Sequence, residues 1–389
     1  MANKSTDNAG FVAALKREWL QYKRCSGEVF FSLIILILSM VVVTWIFSSG
    51  VLRDLPIAVV NNDGSSVSRT YIRMLDASPQ LRIAETMASS TQARALLDTA
   101  AVYAVVVIPK DFSQSLKLGR QTTVFAWHSA QFLTVSGVIS KSLREVTGTL
   151  SAAIKISSLQ ERGESSIEAK VNFSPVQAEL RTLFNPFQNY QYFLIAGLLP
   201  AMLQVFVMIW SVYLVGKEYQ DNTSAQWLAT GHNIYNALLA KVLPLFLLSS
   251  VIGLACLLYL FGIAGWPING SLSLLIIAWE LMIAAYIVLG LLFAALAPQL
   301  ATALSVAVFF TAPAFAYAGV TFPQQSMPLL AELWAYLLPV RSLLRLQIEQ
   351  TELGTSVQHS LPELLILLSF VLLPLPFAIK RLKLRCETS

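Results

Sequence analysis

Six long runs of apolar residues, separated by polar segments, set the pattern of this chain. A helix needs about 20 residues to cross the roughly 30 Å of membrane hydrocarbon, and each run is about that long. The runs lie at 29–50, 193–215, 242–263, 272–297, 300–320 and 361–379. The pattern therefore predicts an α-helical polytopic membrane protein with six transmembrane helices.

The polar stretch 51–190, between the first and second runs, has a different pattern. Short β-rich runs alternate in it with segments typical of amphipathic helices. The runs LPIAVVNND, QLRIAE, VYAVVVIP and QTTVFAWH are interpreted as strands, and SSVSRTYIRMLDAS, SSTQARALLDTA and KDFSQSLKLG as helices. The first helix begins with serines, which are favoured capping residues. This alternation predicts a small α/β domain with at least partly parallel strand pairing.

Residues 132–162 carry apolar side chains at every third or fourth position, which predicts one long helix. The stripe consists of Phe132, Val135, Ile139, Leu143, Val146, Leu150 and Ile154. Such a stripe needs a partner, so the helix either packs on the sheet of the α/β domain or pairs with another copy or subunit. We favour a stalk standing above the membrane. The polar stretch 162–175 is interpreted as a turn and linker.

Composition and charge fix the class of protein and its predicted orientation. The chain is 56% hydrophobic and 13% charged, whereas soluble domains carry about 25% charged residues. Basic residues cluster before the first run and at the end of the chain: Lys16, Arg17, Lys23, Arg24, Lys380, Arg381, Lys383 and Arg385. Such clusters mark cytoplasmic ends, so the net charge of +5 does not indicate a nucleic-acid partner.

Six crossings with both ends cytoplasmic predict a multi-pass membrane protein. The predicted cytoplasmic parts are the N-terminal segment 1–28, the polar island 216–241 and the basic tail 380–389. The predicted outer parts are the extracytoplasmic α/β domain 51–190, the turn 264–271 and the segment 321–360.

No motif for catalysis or nucleotide binding occurs in the sequence. GxxxxGK[ST], HExxH and GxSxG are all absent, which leaves hydrolase and metalloprotease functions without support. The three cysteines and three histidines lack the spacing of a metal site. We therefore expect this chain to bind no cofactor or metal and not to be an enzyme. If ATP drives it, ATP and Mg²⁺ bind a separate subunit.

Several segments resemble the type-2 ABC exporter permease family. They are LFNPFQNYQYFLIAGLLP (183–200), YAGVTFPQQSMP (317–328) and LLPVRSLLR (337–345). LPIAVVNND and VYAVVVIPKDFSQSL resemble the outer domain that this group shares with phage-infection-type membrane proteins. The likeness covers nearly the whole chain and implies a permease bundle over 191–379.

The resemblance also implies a location in the bacterial inner (cytoplasmic) membrane, a function and partners. The chain would export hydrophobic or amphiphilic, drug-like or lipid-like compounds. Its partners would be a cytoplasmic ABC ATPase, a second copy or a paralogous permease, the lipid bilayer and, as a further candidate, a periplasmic adaptor protein. The alternative is a membrane anchor or receptor whose outer domain binds an envelope partner without transport.

In that family the segment after the second helix docks onto the ATPase. In this chain the segment reads GKEYQDNTSAQWLATGHN (216–233), and the resemblance assigns docking to Glu218, Tyr219, Asp221, Thr223, Trp227 and Leu228. Glu218, Thr223, Leu228 and a following Lys241 match the family pattern. Asn222, Ala225 and Gly231 depart from it, standing where a glycine, an acid and a proline are usual.

The residues of this segment suit a docking role physically. Glu218 and Asp221 offer negative charge, and Tyr219 and Trp227 offer large anchors of the kind found at interfaces. The alternative places both aromatic side chains in the belt at the membrane surface, with the charges merely marking a loop.

Three residues within the runs are candidates for a translocation pathway. Glu280 is an ionisable side chain deep within a run, where a charge costs about 3 kcal/mol. It either lines the substrate route or only fixes packing between helices. Gln204 in the second run and Pro313 in the fifth are further candidates. A proline permits a kink in a membrane helix, and the alternative is that Pro313 is there only because prolines are common in such helices.

The segment at about 321–345 contains an apolar stretch too short to cross, together with Pro323 and Pro328. It predicts a re-entrant outer hairpin that caps an exit. A passive surface helix is the alternative.

Overall fold

The structure is a computed structural model that describes residues 10–24, 26–118, 120–129, 133–161, 185, 189–322 and 324–388. The chain forms two compact units, one comprising Met1–Ser48 and Asn189–Ser389 and the other Ser49–Gln188. The first unit is a helical bundle and the second an α/β domain.

Helices make up most of the described residues, and the strands lie between α2 and α6. The α-helices are α1 (Phe11–Arg24), α2 (Ser26–Ile46), α3 (Ser66–Asp76), α4 (Ser90–Asp98), α5 (Phe112–Lys117), α6 (Leu133–Glu161), α7 (Tyr190–Gln220), α8 (Ser224–Gly231), α9 (Ile234–Leu257), α10 (Leu272–Leu296), α11 (Leu300–Thr311), α12 (Ala314–Tyr317), α13 (Leu329–Tyr336), α14 (Pro339–Ile348), α15 (Val357–Leu372) and α16 (Pro374–Thr388). The strands are β1 (Leu55–Asn61), β2 (Leu81–Met87), β3 (Ala104–Ile108) and β4 (Phe125–His128). Short π-helical turns at Leu258–Ile263 and Glu349–Leu353 extend α9 and α14.

Six helical stretches of the described chain are long and apolar enough to cross a membrane, which confirms the six predicted transmembrane helices. They are Gly27–Ile46, Tyr190–Gln220, Ile234–Ile263, Leu272–Leu296, Leu300–Tyr317 and Val357–Cys386. Several continue past their apolar cores. In particular, α7 runs on to Gln220 and α9 begins at Ile234, so most of the polar island is helical rather than an extended loop.

Helix α10 lies at the centre of the bundle and contacts α7, α9, α14, α15 and α16. Its sequence is apolar on all sides, as a helix surrounded by other helices requires. Within its most apolar window, 72% of the residues are buried, against 11% for α2. The outer helices therefore keep apolar faces directed away from the bundle.

The α/β unit contains a four-stranded mixed sheet in the order β2-β1-β3-β4. Strand β1 pairs in parallel with both β2 and β3, and β4 pairs antiparallel with β3. The predicted partly parallel pairing is therefore confirmed. Strands β1 and β3 are apolar along nearly their whole length because α4 covers one face of the sheet, while α3 and α6 cover the other. Ser65 caps α3 by accepting a hydrogen bond from the Ser68 amide at 3.1 Å.

The long helix α6 packs on this sheet through its apolar stripe. Ile139, Leu143 and Leu150 are buried in one core with residues of β1, β3 and α3. The hydroxyls of Tyr71 on α3 and Thr147 on α6 are 2.7 Å apart. The helix therefore packs on the sheet over this stretch, and a stalk standing above the membrane stays a prediction. Phe132 and the predicted linker 162–175 lie outside the described residues.

The segment predicted as an outer hairpin forms the two short helices α13 and α14. Leu329, Leu330 and Leu333 on α13 are exposed, whereas most of α14 is buried against α7, α10 and α15. Pro328 immediately precedes α13, where a missing amide hydrogen is tolerated. Pro323 lies outside the described residues.

Candidate functional site

The polar segment between the second and third spans is a helix–turn–helix connection at one end of the bundle. Helix α7 ends at Gln220, a short turn follows, and α8 leads to α9, which Asn233 caps through the Asn236 amide at 2.8 Å. Asn222 has a φ of 54°, the left-handed region that glycine enters most easily and that asparagine tolerates. This explains how the chain makes the turn with asparagine where the family pattern has glycine.

Glu218, near the end of α7, is buried and receives hydrogen bonds from three directions. The Arg17 guanidinium donates to both of its carboxylate oxygens, at 2.9 Å and 2.8 Å. Lys241 Nζ donates from 2.8 Å and the Thr223 hydroxyl from 2.5 Å. Such a bidentate, charge-assisted arrangement fixes the carboxylate in place.

A second carboxylate, Glu18, completes a buried charge cluster formed by Arg17, Glu18, Glu218 and Lys241. Glu18 lies 2.8 Å from Lys241 Nζ and 2.8 Å from an Arg17 nitrogen. Lys241 is only 1% exposed. Two positive and two negative charges balance, and buried charges are tolerated only when they are paired in this way.

The charge cluster joins three helices that are distant in sequence. Arg17 and Glu18 belong to α1, Glu218 to α7 and Lys241 to α9, while Thr223 begins the turn into α8. Helix α1 also packs directly on α8 and α9. Short polar contacts therefore connect the start of α8 to both flanking spans.

The two aromatic residues of the segment attach α7 and α8 to the bundle. Trp227 is fully buried: its indole nitrogen donates to the Ala237 carbonyl at 3.2 Å, and Lys241 Nζ lies 5.2 Å from its ring centre. The Tyr219 hydroxyl donates to the Leu382 carbonyl at 3.3 Å, and the Arg385 guanidinium lies 4.3 Å from its ring centre. Trp227 is therefore neither an exposed anchor nor a member of an interfacial belt.

The outward surface of the segment comes from other positions. Asp221 is exposed, together with Asn222, Ala225, Gln226 and Ala229, while Leu228 is partly buried against the bundle core. Of the six residues predicted to dock, only Asp221 is therefore exposed, and the other five are buried or partly buried and hold the segment to the bundle.

Sequence reasoning did not assign a site role to Arg17, Glu18 or Gln21. In the sequence Arg17 was noted only as part of the basic cluster that predicts the orientation of the chain in the membrane. A signal was present, because residues 14, 17, 18 and 21 recur at helical spacing and so share one face of α1. Ala14 and Glu18 on that face are each 1% exposed, and Gln21 donates to Glu218 at 3.1 Å.

The pathway candidates lie at two separate helix contacts. Gln204 is fully buried on α7, and its amide nitrogen lies 3.5 Å from the Thr311 carbonyl at the end of α11. Pro313 follows two positions later, where α11 stops and α12 begins. Glu280 on α10 instead accepts a short hydrogen bond from Ser250 on α9, the kind of contact expected if it fixes packing.

Replacing Gln204 with leucine is expected to leave the stability of the bundle within about 1 kcal/mol of the native value. The side-chain oxygen of Gln204 is buried with no hydrogen-bond partner among the described residues, and its only donated bond is long. The change therefore removes a buried oxygen that lacks a hydrogen bond, and it gives up only one long hydrogen bond. The apparent melting temperature of the detergent-purified chain measures this, and a large drop would show that Gln204 has an essential structural bond.

Comparisons with known proteins identify relatives over most of the chain. The profile of a family described as "ABC-2 family transporter protein" matches residues 28–380. The probable multidrug ABC transporter permease YbhS of Escherichia coli K12 is 25% identical over 303 residues, which cover 76% of this chain and 77% of that protein. The probable multidrug ABC transporter permease YbhR of the same strain is 22% identical over 255 residues, covering 65% and 66%.

Proposed function

The chain belongs to the ABC-2 transporter family, and on that premise we propose that it is the permease of an exporter that moves hydrophobic or amphiphilic compounds out of the cytoplasm or inner membrane. Family membership implies that a separate ATPase subunit uses the ATP. The observation that carries the proposal is the buried charge cluster. It fastens the segment between the second and third spans to α1, α7 and α9.

The proposed coupling runs from the ATPase through α8 into the spans. The exposed residues led by Asp221 contact the ATPase, while Glu218, Thr223 and Trp227 hold the segment to the bundle. Helix α7 has 31 residues and is therefore about 45 Å long. In this proposal a tilt applied at its Gln220 end moves the part of α7 that follows Pro200. Rigid-body movement of this kind is a common way to switch between two states.

The cargo class is proposed from an apolar groove along α7. This groove has a volume of about 470 Å³ and lies between α2, α7 and the α11–α12 break. Leu36, Met202, Phe206 and Phe315 contribute to its walls, and Thr311, which Gln204 contacts, lies at its edge. An apolar groove of this size accommodates a drug-sized hydrophobic molecule. The description of both relatives as multidrug permeases also supports this class.

The orientation is proposed from the position of the basic termini. Helices α1 and α16 both contact α8, so these two helices and the polar island meet at one end of the bundle. The positive-inside rule makes that end cytoplasmic. The α/β unit, inserted between the first and second spans, then lies on the outer side. The apolar outward faces of α2 and α11 support pairing with a second copy or a paralogous permease.

The docking proposal predicts the effect of changing the charge pattern on the exposed surface of α8 and of the turn before it. Asp221→Lys combined with Gln226→Glu is expected to weaken ATPase binding and lower its stimulation about tenfold, as loss of an interface hot spot does. Stability should not change, because both side chains are exposed. The measurement is the hydrolysis rate of the co-purified ATPase as the permease is titrated in.

Glu332→Lys on α13 is a control that changes charge at a position away from α8. Native affinity in the α8 variant would refute docking through this surface. If the native chain co-purifies with no ATPase and stimulates none, the transporter proposal itself fails and the non-transporting receptor is favoured.

A further inference from the structure

A small cavity beside the N-terminal end of α7 is separate from both the charge cluster and the apolar groove. It has a volume of about 150 Å³ and lies between α7, the π-helical turn after α9, α14 and the π-helical turn after α14. Four aromatic side chains contribute to its walls: Tyr192, Phe193, Phe261 and Trp266. The ring centres of Tyr192 and Trp266 are 4.8 Å apart with the planes at 90°.

One carboxylate, that of Glu352, also lines this cavity. It is half-buried, and burial raises the pKa of the Glu352 carboxyl above its ordinary value. No ion pair to it is found among the residues that the structure describes. Its backbone is held in place because Asn269 donates a side-chain hydrogen bond to the Glu352 carbonyl at 2.9 Å. The carboxylate therefore projects from a backbone that is held in place, and no counter-ion for it lies among the described residues.

The other polar groups of the cavity divide into satisfied and unsatisfied ones. Gln347 donates to the Ala196 carbonyl at 2.9 Å and accepts from the Trp279 indole at 3.2 Å. The Thr351 hydroxyl donates to the Gln347 carbonyl at 2.8 Å. The Tyr192 side chain is only 7% exposed and its hydroxyl lies near Glu352, yet no well-formed hydrogen bond to that hydroxyl is found among the described residues.

These groups select the charge of a ligand. An anion would meet the Glu352 carboxylate and find no positively charged side chain among the described residues that line the cavity. A neutral apolar ligand would leave that carboxylate unpaired. A bare metal ion needs about six oxygen ligands. The Gln347 oxygen and the Thr351 hydroxyl are engaged in hydrogen bonds, so the Glu352 carboxylate and the Tyr192 hydroxyl are too few. Aromatic rings together with a carboxylate are the chemistry that binds substituted ammonium groups, through cation–π contacts.

We infer that this cavity binds the positively charged head group of an organic cation, held by the Glu352 carboxylate and the rings of Tyr192 and Trp266. A cavity of about 150 Å³ holds a group the size of benzene, whereas drug-sized ligands occupy about 300–1,000 Å³. The site therefore takes a head group and leaves an apolar tail outside. The binding of a cation does not depend on the proposed function. Only the interpretation of that cation as transported cargo rests on it.

Calorimetric titration of the full-length detergent-purified chain, without any ATPase, tests the binding. The probes are choline and its neutral isostere 3,3-dimethylbutan-1-ol, which differ in charge but hardly in shape. Choline should bind saturably and at least about tenfold more tightly than the alcohol, since the cation–π contacts and the carboxylate act only on the charged probe. Glu352→Gln and Trp266→Leu should each reduce choline affinity about tenfold.

Glu332→Gln on α13 is the matched control and should bind choline like the native chain. Equal affinity for both probes, absence of saturable binding, or unchanged choline affinity in Glu352→Gln would overturn the site. Trp266→Leu supplies an independent test if the glutamate variant does not fold. Because no ATPase is present, failure of choline binding leaves the exporter proposal standing, and failure of ATPase stimulation leaves the binding result standing.

Discussion

Replacing Glu218 with glutamine is expected to destabilise the helical bundle by about 3–5 kcal/mol, the cost of breaking a buried ion pair. The side chain keeps its shape, but Arg17 and Lys241 lose the carboxylate that they share. Glu18 alone then faces two positive charges, so one charge remains buried without compensation. The measurement is the apparent melting temperature of the detergent-purified chain, together with the fraction recovered as a monodisperse species.

A double variant tests whether charge balance is the cause. Glu218→Gln combined with Lys241→Met leaves one positive and one negative charge, Arg17 and Glu18. It is therefore expected to be more stable than the sum of the two single changes predicts. Additive effects would contradict this account and indicate that packing alone matters. Glu28→Gln is the control, because Glu28 is 57% exposed and its pair with Lys217 spans 3.6 Å, an arrangement worth less than about 1 kcal/mol.

The Glu218 variant also distinguishes the attachment of α8 to the bundle from the docking of the ATPase. Glu218 is 3% exposed, so it offers the ATPase almost no surface. If enough folded protein is obtained, the variant should still bind the ATPase but stimulate hydrolysis less, because the link between α8 and the spans is loosened. In the variant that changes the exposed Asp221, by contrast, ATPase binding itself should be lost, and the lower stimulation should follow from that loss.

Replacing Gly290 with leucine is expected to prevent assembly of the bundle. Gly290 lies where α10 crosses α7, and a Cβ atom there would be 2.6 Å from Ser211 Cβ and 3.1 Å from the Met208 carbonyl oxygen. Overpacking a tight core costs about 1–3 kcal/mol, and in this crossing no side-chain rotation relieves the contact with the α7 backbone. Leucine must push apart the two most extensively packed helices, so recovery of folded protein should fall sharply.

The alanine variants give a graded control. Alanine is favoured over glycine inside a helix by about 1 kcal/mol. We expect the clash in Gly290→Ala to cost more than this gain, so the melting temperature of that variant should fall. At Gly253 an added Cβ meets its nearest atom, on the Trp279 ring, at 3.3 Å. Gly253→Ala should therefore be near neutral. Equal stability of both variants would contradict the close approach at Gly290.

Much of the fold is predictable because its signals are local. A transmembrane helix satisfies its own backbone hydrogen bonds, so the length and apolarity of a run are enough to predict it. The sheet was equally predictable: the apolar runs around Val59 and Val106 are buried on both faces, and short turns bound them. The ends of α7 and α9 were not predictable, because polar residues there stay helical only through partners such as Arg17.

The candidate site was predictable only in part. The family pattern pointed to Glu218, Thr223 and Lys241 without showing that they meet. Trp227 was expected on a surface because it lies in a polar segment, yet its ring is buried against α9. The cavity at Glu352 left no signal in the sequence, since its lining residues come from stretches as far apart as 192 and 352.

By itself the sequence determined the number of spans, the position of the α/β insertion and the absence of a nucleotide-binding motif. Each of these depends on composition, periodicity or spacing within a short stretch. Only the tertiary structure decided which charges neutralise one another, which aromatic side chains are buried and where a carboxylate is left without an ion pair. Electrostatic and packing energies depend on distances of a few ångströms between residues far apart in the chain, and those distances exist only once the helices have assembled.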